Sequence, residues 1–528
     1  MTREERLARM EEEEFDLCII GGGASGAGCA LDAALRGLKV ALIERGDFGS
    51  GASSASTKLF HGGVRYLERA FRQLDWGQLR QVRHGMKERG ALLRNASHLS
   101  RPLPLLTPVF NAVEAAYYSA GLWLYDRFAP AGDPLPRSGF LRKKTALALA
   151  PGLSPNIFGA VRYYDGQFDD ARYNLALILS ANAEGANCLN YVAFQRFEKN
   201  AQGRIESVIA QDQLSSRTLR IRARLALNCA GAWADRVRLS ANDALHPVMA
   251  PTSGIHVICA AADIALRDHA LLIPKTSDGR VIFAIPFQGV CLIGTTDQPV
   301  SDLDAYPRAD ADATDYLLDT LSAYLRRPLS PMAVKAAFGG LRPLLGKGLT
   351  DGAALLRDHA VTYDPRSGLL SLLGGKWTTY RLMASDAIDR ACGVLGCKNA
   401  QCCTRDYPIW GAGRNAGEDG TRVQGPWSAY GDRADALEAL CAANPELRRP
   451  IDADHSYAEA QVVYAVQHEM ACRISDVLAR RLRLLDLDRS AALRAAPRAA
   501  RLMSDHLGWN EERRVRELAL FEREAALR

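Results

Sequence analysis

No stretch of this chain reaches the ~18 consecutive apolar residues that a bilayer-spanning helix needs, so none is expected. Charge of one sign is missing too: 66 basic side chains against 60 acidic ones leave +6. So small a bias over 528 residues argues against nucleic acid as a partner, while remaining compatible with an anionic substrate or an anionic membrane surface. Met1 to Glu14 mixes Arg and Glu around no apolar core, which is not the pattern of a secretory leader. The 12 cysteines are scattered and read as free thiols of a reducing compartment. Cys392, Cys397, Cys402 and Cys403 cluster, but their spacing fits no common zinc or iron–sulfur pattern. His468-Glu469-Met470-Ala471-Cys472 lacks the second histidine of a zinc-protease helix, and no metal is expected. Internal repeats and low-complexity tracts are absent as well.

What is present is an ordinary globular composition, 48% hydrophobic and 24% charged, long enough for two or three domains at ~150 residues each. The most informative segment is Gly21-Gly22-Gly23-Ala24-Ser25-Gly26. It follows an apolar run, Phe15 to Ile20, that reads as a buried strand. Ala27 to Gly37 reads as a helix, and Leu38 to Ile43 as a second strand ending at Glu44. This is a G-x-G-x-x-G turn in a βαβ unit: Gly21 for the tight turn, Gly23 for approach of a pyrophosphate, Gly26 for close helix–strand packing. The helix N-terminus faces the phosphate charge, and Glu44 is placed to accept hydrogen bonds from ribose hydroxyls.

Further along, Phe71 to Leu93 has the spacing of an amphipathic helix. Arg101 to Pro108, with three prolines, reads as a break, as does Gly132 to Pro136. Ala115 to Tyr125 is the most apolar short segment, either a buried core helix or an interfacial one. Tyr163 to Asp169 reads as turn-rich and Ala171 to Ala186 as a helix, with alternating strands following through Val208 and Leu219 to Leu227. A β-rich region covers about His246 to Leu373, with turns at Asp278-Gly279, Gly289 and Asp364-Pro365. Gly374-Gly375 opens a helix from Trp377 to about Cys392. Trp410 to Gly431 reads as a linker, and the remainder as helical, with starts at Asn444-Pro445 and Ser456.

The loop after the second strand, Ser53-Ser54-Ala55-Ser56-Thr57-Lys58-Leu59-Phe60-His61-Gly62-Gly63-Val64-Arg65-Tyr66-Leu67, places hydroxyls, two cations and a histidine around a Gly-Gly pair. Gly62-Gly63 lets backbone come close to a ligand. With the glycine turn, this loop resembles the start of the FAD-dependent glycerol-3-phosphate dehydrogenases. The resemblance continues through Tyr164-Asp165-Gly166-Gln167, Asn228-Cys229-Ala230-Gly231-Ala232-Trp233, Gly294-Thr295-Thr296-Asp297, Gly340-Leu341-Arg342-Pro343-Leu344, Leu356-Arg357-Asp358 and Gly374-Gly375-Lys376-Trp377-Thr378-Thr379-Tyr380-Arg381. Glu469-Met470-Ala471-Cys472 and Arg480-Arg481 look like the family's C-terminal cap. His359 departs from it, many relatives having Tyr there, and so does Trp377, often smaller in relatives.

The resemblance implies an α/β fold: a glutathione-reductase-like, Rossmann-type FAD-binding domain, a mixed-sheet substrate domain and a C-terminal α-helical cap. The expected partition is 1–75, 155–240 and 360–395 for the FAD domain, 76–154 and 241–359 for the substrate domain, 396–431 for a linker and 432–528 for the cap. It also implies oxidation of sn-glycerol 3-phosphate to dihydroxyacetone phosphate, with hydride from C2 to flavin N5. Further implied are transfer of the electrons to ubiquinone or another membrane quinone, a cytoplasmic enzyme peripheral on the inner face of the cell membrane, and a homodimer as one expected assembly. An oxygen-using glycerol-3-phosphate oxidase, a related amine or amino-acid oxidase and a non-catalytic flavin module are the alternatives.

FAD is then expected to contact Gly21, Gly23, Ala24, Ser25 and Gly26 in the turn, and Glu44 and Arg45 after the second strand. Ser53, Ser54, Thr57, Lys58, His61 and Gly62 would approach it from the loop, with Ala230 and Gly231 on a third side. Gly375, Lys376, Thr378 and Thr379 would face the flavin ring, where a helix N-terminus stabilises the charge of reduced flavin. The substrate's phosphate dianion calls for several cations, and Arg342, Arg357 and Lys376 each stand in apolar sequence, joined by Arg65 and Tyr66. The C2 hydroxyl needs a base of near-neutral pKa, for which His61 leads and His256 and His359 follow; Arg342 and Lys376 complete the catalytic set.

Overall fold

The computed structural model describes residues 1–62, 76–129, 135–274, 276, 279–300, 302–346, 359–397, 401–413 and 426–528, with side chains from 83 onward in the helix Trp76–Asn95. Two sheets and a helical body share the work. In the first sheet, strand Glu14–Ile20 lies parallel to Val40–Ile43 on one side and to Thr218–Asn228 on the other. Asn187–Leu189 extends it parallel beyond Val40–Ile43, and Leu370–Gly374 beyond Thr218–Asn228. His359–Tyr363 pairs antiparallel at the edge, and the hairpin Val192–Lys199 with Ile205–Asp212 completes eight strands.

Parallel strands covered on both faces need side chains that are apolar throughout. Val40–Ile43 is buried at every position. Leu17, Ile19 and Leu42 meet the helices Ala24–Leu35, Asp170–Ala183 and Tyr380–Leu395. Cys18, Ile20, Ala41 and Ile43 face the opposite way, onto Leu7 and Met10 of the N-terminal helix Arg3–Glu12. A Cβ on Gly28 would stand 2.8 Å from the ring of Tyr380, so the glycine sets how closely two of these helices approach.

Among the described residues the second sheet has ten strands, nearly all antiparallel, and strand Ser100–Val109 is central to it. The three prolines expected to break the chain lie inside this strand. Asp169 N donates to Leu99 O, which sets odd-numbered residues as the hydrogen-bonded partners of strand Gly159–Phe168. Pro102, Pro104 and Pro108 share the other parity, so their missing N–H groups all face away from that partner. On that far side Ala270–Ile273 pairs only at Leu105 and Leu106. The segment read as turn-rich, Tyr163 to Asp169, is likewise strand up to Phe168, because its alternating side chains pack into the sheet. Gly159–Phe168 and Leu59–Phe60 both belong to the second sheet, although the expected partition put them with the first. Helix Ala311–Ser322, not anticipated, covers this sheet with Leu317, Leu318 and Leu321. The helix Ala112–Arg127 is half core: Ala115, Leu122 and Tyr125 are buried, while Val113, Tyr117 and Trp123 are exposed.

Helices Ala434–Ala443, Glu459–His468, Arg489–Leu507 and Glu511–Ala525 form the C-terminal body around their own apolar core. A short hairpin, Pro450–Asp452 with His455–Ala458, interrupts the expected all-helical run. Ser456 lies in that hairpin, and the next helix starts at Glu459. Asn444 does cap a turn, accepting from Glu446 N at 3.2 Å.

Candidate functional site

The carboxyl ends of Glu14–Ile20, Val40–Ile43 and Thr218–Asn228 open on one groove of about 370 Å³, where a doubly wound sheet places its ligand. Gly21, Gly23, Ala24 and Ser25 line it beside Glu44 and Arg45, Ser53, and Ala230 and Gly231. Gly21 has φ +112°, and a Cβ there would lie 2.5 Å from Cys229 O. A Cβ on Gly26 would run into the Gly21 carbonyl oxygen, so this glycine packs helix against strand. Gly23 caps the helix Ala24–Leu35 without a side chain; a Cβ would stand 2.9 Å from Ser53 Oγ. Ser53 Oγ accepts from Ala24 N at 2.9 Å.

Glu44 is held by two amides: Gly22 N donates to Oε2 and Gly46 N to Oε1, each at 2.8 Å. Burial pushes its carboxyl above the usual range, against the pull of those amides. Each oxygen keeps a second lone pair for a ribose hydroxyl. Arg45 stacks its guanidinium 4.1 Å above the Trp233 ring at the groove's rim.

The loop after the second strand is fixed from several sides. Trp377 Nε1 donates to Ser53 O at 2.9 Å. Lys58 is fully buried and does not extend into the groove. Its Nζ donates to Ser54 O at 2.8 Å and to both carboxylate oxygens of Asp170 at 2.6 and 2.7 Å, so it holds the loop's shape. Burial, with Arg483 nearby, pushes the Lys58 ammonium down to about 8. Burial also pushes the Asp170 carboxyl up, but Lys58 and Arg483 outweigh it and hold it below its usual range. Thr57 Oγ1 reaches His256 Nε2 at 3.0 Å. His61 is half-buried directly after strand Leu59–Phe60. The close approach at Gly62 is to protein: its Cβ would meet Tyr125 Oη and Met86 Cγ. Nearby, Asp165 accepts from Arg89 Nη1 at 2.6 Å and from Tyr125 Oη at 3.2 Å, a buried cluster that sequence reading missed.

On the substrate side, Arg342 ends strand Val334–Arg342, between the groove-lining residues Leu341 and Pro343. Its Nη1 donates to Asp297 Oδ1 at 2.6 Å and its Nη2 to Thr295 Oγ1 at 3.0 Å, so the fork is held in place. His256 stacks on Phe338 with centroids 5.0 Å apart. Burial, then the charges of Lys58 and Arg342, push its imidazole down to about 3. His359 is buried and lies 2.9 Å from Asp386 Oδ2. Gly374 and Gly375 take φ +73° and +94°, which only glycine adopts freely, and lead to Lys376 and the turn Trp377–Thr379 ahead of helix Tyr380–Leu395. The Thr379 hydroxyl donates to Lys376 O at 3.3 Å, while Thr378 is buried. Arg65, Tyr66 and Arg357 lie outside the described residues.

The comparisons with known proteins match this geometry. Residues 16–381 match the family described as FAD dependent oxidoreductase, and 397–514 the C-terminal domain of alpha-glycerophosphate oxidase. A probable mitochondrial glycerol-3-phosphate dehydrogenase of Caenorhabditis elegans is 38% identical over 96% of this chain and 73% of its own length. The chain belongs to the FAD-dependent glycerol-3-phosphate dehydrogenase family. The mitochondrial glycerol-3-phosphate dehydrogenase of Mus musculus is 36% identical over 98% of the chain and 74% of its own length. The Bacillus halodurans glycerol-3-phosphate dehydrogenase complexed with FAD superposes with a TM-score of 0.80 at 28% identity, covering 99% of this chain and 97% of that one. As in that dehydrogenase the cofactor is FAD, and the groove here suits it. The Gly21 and Gly26 positions admit no side chain, and Glu44 stands where a ribose would lie.

Proposed function

We propose that the chain oxidises sn-glycerol 3-phosphate to dihydroxyacetone phosphate and passes the electrons to a membrane quinone. Bound FAD supplies the hydride acceptor. The observation that carries the reading is Arg342: a cation held by Asp297, Thr295 and Thr296 O, directly between the groove-lining Leu341 and Pro343, where its charge can meet a phosphate dianion. Lys376, after the Gly374-Gly375 turn, adds a second cation for the same anion. Arg65, Tyr66 and Arg357 are the further substrate contacts of this reading. An imidazole pushed to about 3 is a poor proton acceptor at neutral pH. We therefore give the C2 hydroxyl proton to His61, and give His256 the task of holding Thr57 beside the cofactor.

Quinone is confined to the bilayer, so its reductase must reach the interface. No described helix is long and apolar enough to cross a membrane. The outer face of Ala112–Arg127 supports a peripheral contact: Val113, Tyr117 and Trp123 are exposed on it, with Phe110, Phe140 and Phe158 beside the same sheet end. Arg127 lies 4.9 Å from the Trp123 ring, and Arg142, Lys143 and Lys144 follow Phe140. An apolar face rimmed by cations suits an anionic lipid surface on the cytoplasmic side.

Two measurements test it, flavin bleaching without oxygen and steady-state turnover with each acceptor. Glycerol 3-phosphate should bleach the flavin spectrum and glycerol should not. Turnover with a quinone analogue should exceed turnover with oxygen. Equal bleaching by glycerol would remove the phosphate pocket, and maximal oxygen consumption with no gain from quinone would make the chain an oxidase.

A further inference from the structure

The C-terminal body holds a cluster of buried cations that the reaction does not use, and one of them touches the cofactor loop. Arg483 leaves the helical body with φ +63°, a backbone region that non-glycine residues seldom occupy. That turn aims its side chain at helix Asp170–Ala183 behind the first sheet, where it is 1% exposed. Nη2 donates to Ser54 O at 2.9 Å and lies 3.3 Å from Asp170 Oδ1. Ser54 O also accepts from Lys58 Nζ at 2.8 Å. Both lone pairs of one carbonyl are thus taken by cationic donors, one from the loop itself and one from a residue more than four hundred positions away.

The contact continues in both directions. Asp170 accepts from Lys58 and from Ser56 N at 2.9 Å, so both ends of the loop's turn are tied to the acid that Arg483 faces. Behind Arg483, Asp486 lies 3.3 Å from Nη2, and Asp486 in turn pairs with Arg528. On the loop's other side, Ser53 holds Ala24 N and Thr57 meets His256. The loop therefore spans the FAD groove and the substrate side, and its middle peptide is clamped from the C-terminal body. Arg483 Nε and Nη1 are buried without a hydrogen-bond partner among the described residues. A guanidinium placed at such desolvation cost is poorly explained as a stabilising contact, since apolar groups would serve better.

We propose that Arg483 is a positioning residue for FAD: through Ser54 O and Asp170 it sets the loop that contacts the cofactor, and so couples the C-terminal body to cofactor retention. The experiment compares holoenzymes of wild type, R483M, R483K, D486N and R498A. FAD release on dilution is followed by flavin fluorescence, and thermal unfolding is measured in parallel. R498A breaks the Arg498–Glu459 pair inside the C-terminal body and serves as the control for lost stability alone. R483M is expected to raise the FAD dissociation constant about tenfold or more, the scale of one lost charge-assisted hydrogen bond. R483K should recover most of that, because an ammonium can still reach a carbonyl. D486N, which unties Arg483 from behind, should raise the constant several-fold, and R498A should lower the melting temperature while leaving the FAD dissociation constant unchanged. An R483M enzyme that melts earlier but retains FAD as wild type does would overturn the proposal. If R483M fails to fold, D486N decides: wild-type FAD retention in D486N would also overturn it.

Discussion

Thr57 Oγ1 and His256 Nε2 stand 3.0 Å apart, joining the cofactor loop to strand Thr252–Ala260 of the second sheet. Burial and two neighbouring cations push the imidazole down to about 3, which favours its neutral form near neutral pH. It can hold a hydroxyl in place but accepts a proton poorly. His61→Ala is therefore expected to slow flavin reduction at saturating substrate by ~10²–10⁴, with FAD content intact. His256→Asn should slow it by less. Rapid-mixing measurement of flavin bleaching compares the two; the reverse order would move the base to His256.

Gly23→Val should yield a colourless protein. The nearest atom to a Cβ there is Ser53 Oγ at 2.9 Å, and a branched side chain would fill the approach of the pyrophosphate. Absorbance at flavin wavelengths relative to protein absorbance reads the outcome. Stoichiometric FAD in this variant would refute the assignment of the turn.

Arg342→Ala removes the cation assigned to the substrate phosphate. KM for glycerol 3-phosphate should rise roughly 10- to 100-fold, the loss of one or two charge-assisted hydrogen bonds, with FAD content unchanged. Steady-state kinetics on the yellow protein is the measurement, and an unchanged KM would take Arg342 out of the phosphate site.

Replacing Val113 and Trp123 together with glutamate should release the protein from anionic vesicles. Both side chains are exposed, at 79% and 57%, so the fold should tolerate the change. Co-sedimentation should fall while anaerobic bleaching by substrate stays as in wild type. Undiminished sedimentation would place the lipid contact elsewhere.

His98 predicts an acid weakness. Burial, then the charge of Arg172, push its imidazole down to about 3, below the ~6.5 of an unfolded chain. A depressed folded value means the stability is fully present above pH ~6.5 and lost as pH falls toward 3. Between pH 6.5 and 5 the loss is about 2 kcal/mol for this one group. His98→Asn should flatten the fall in melting temperature over that range, whatever it costs at neutral pH. Parallel pH profiles in the two proteins would show that His98 does not titrate this way.

Features carried by contiguous residues were legible beforehand. The turn Gly21 to Gly26 was legible because Gly26 answers to the Gly21 carbonyl five residues back and Gly21 to Cys229 O at the end of the adjoining strand. Strand Glu14–Ile20 and helix Ala24–Leu35 follow from hydrophobic spacing alone. Local rules failed where partners decided the outcome. Three prolines signal a break, yet Pro102, Pro104 and Pro108 sit in a strand because each faces the side where little pairing is required. Lys58 and Gly62 read as cofactor contacts, but Asp170 takes the one and Tyr125 packs on the other.

By itself the sequence determined the family, the FAD turn and the parallel sheet behind it, since these depend on short-range backbone sterics and on periodic burial. Which partner each cation meets came from the tertiary structure alone. Arg342 stands in an apolar stretch and Lys58 in a hydroxyl-rich loop, and neither setting tells what the cation meets. One ends a strand at the groove's rim; the other meets Asp170, more than a hundred positions away. The same holds for Arg483, whose partners are Ser54 and Asp170. A charge's role is set by the partner and the dielectric around it, and both come from chain distant in sequence.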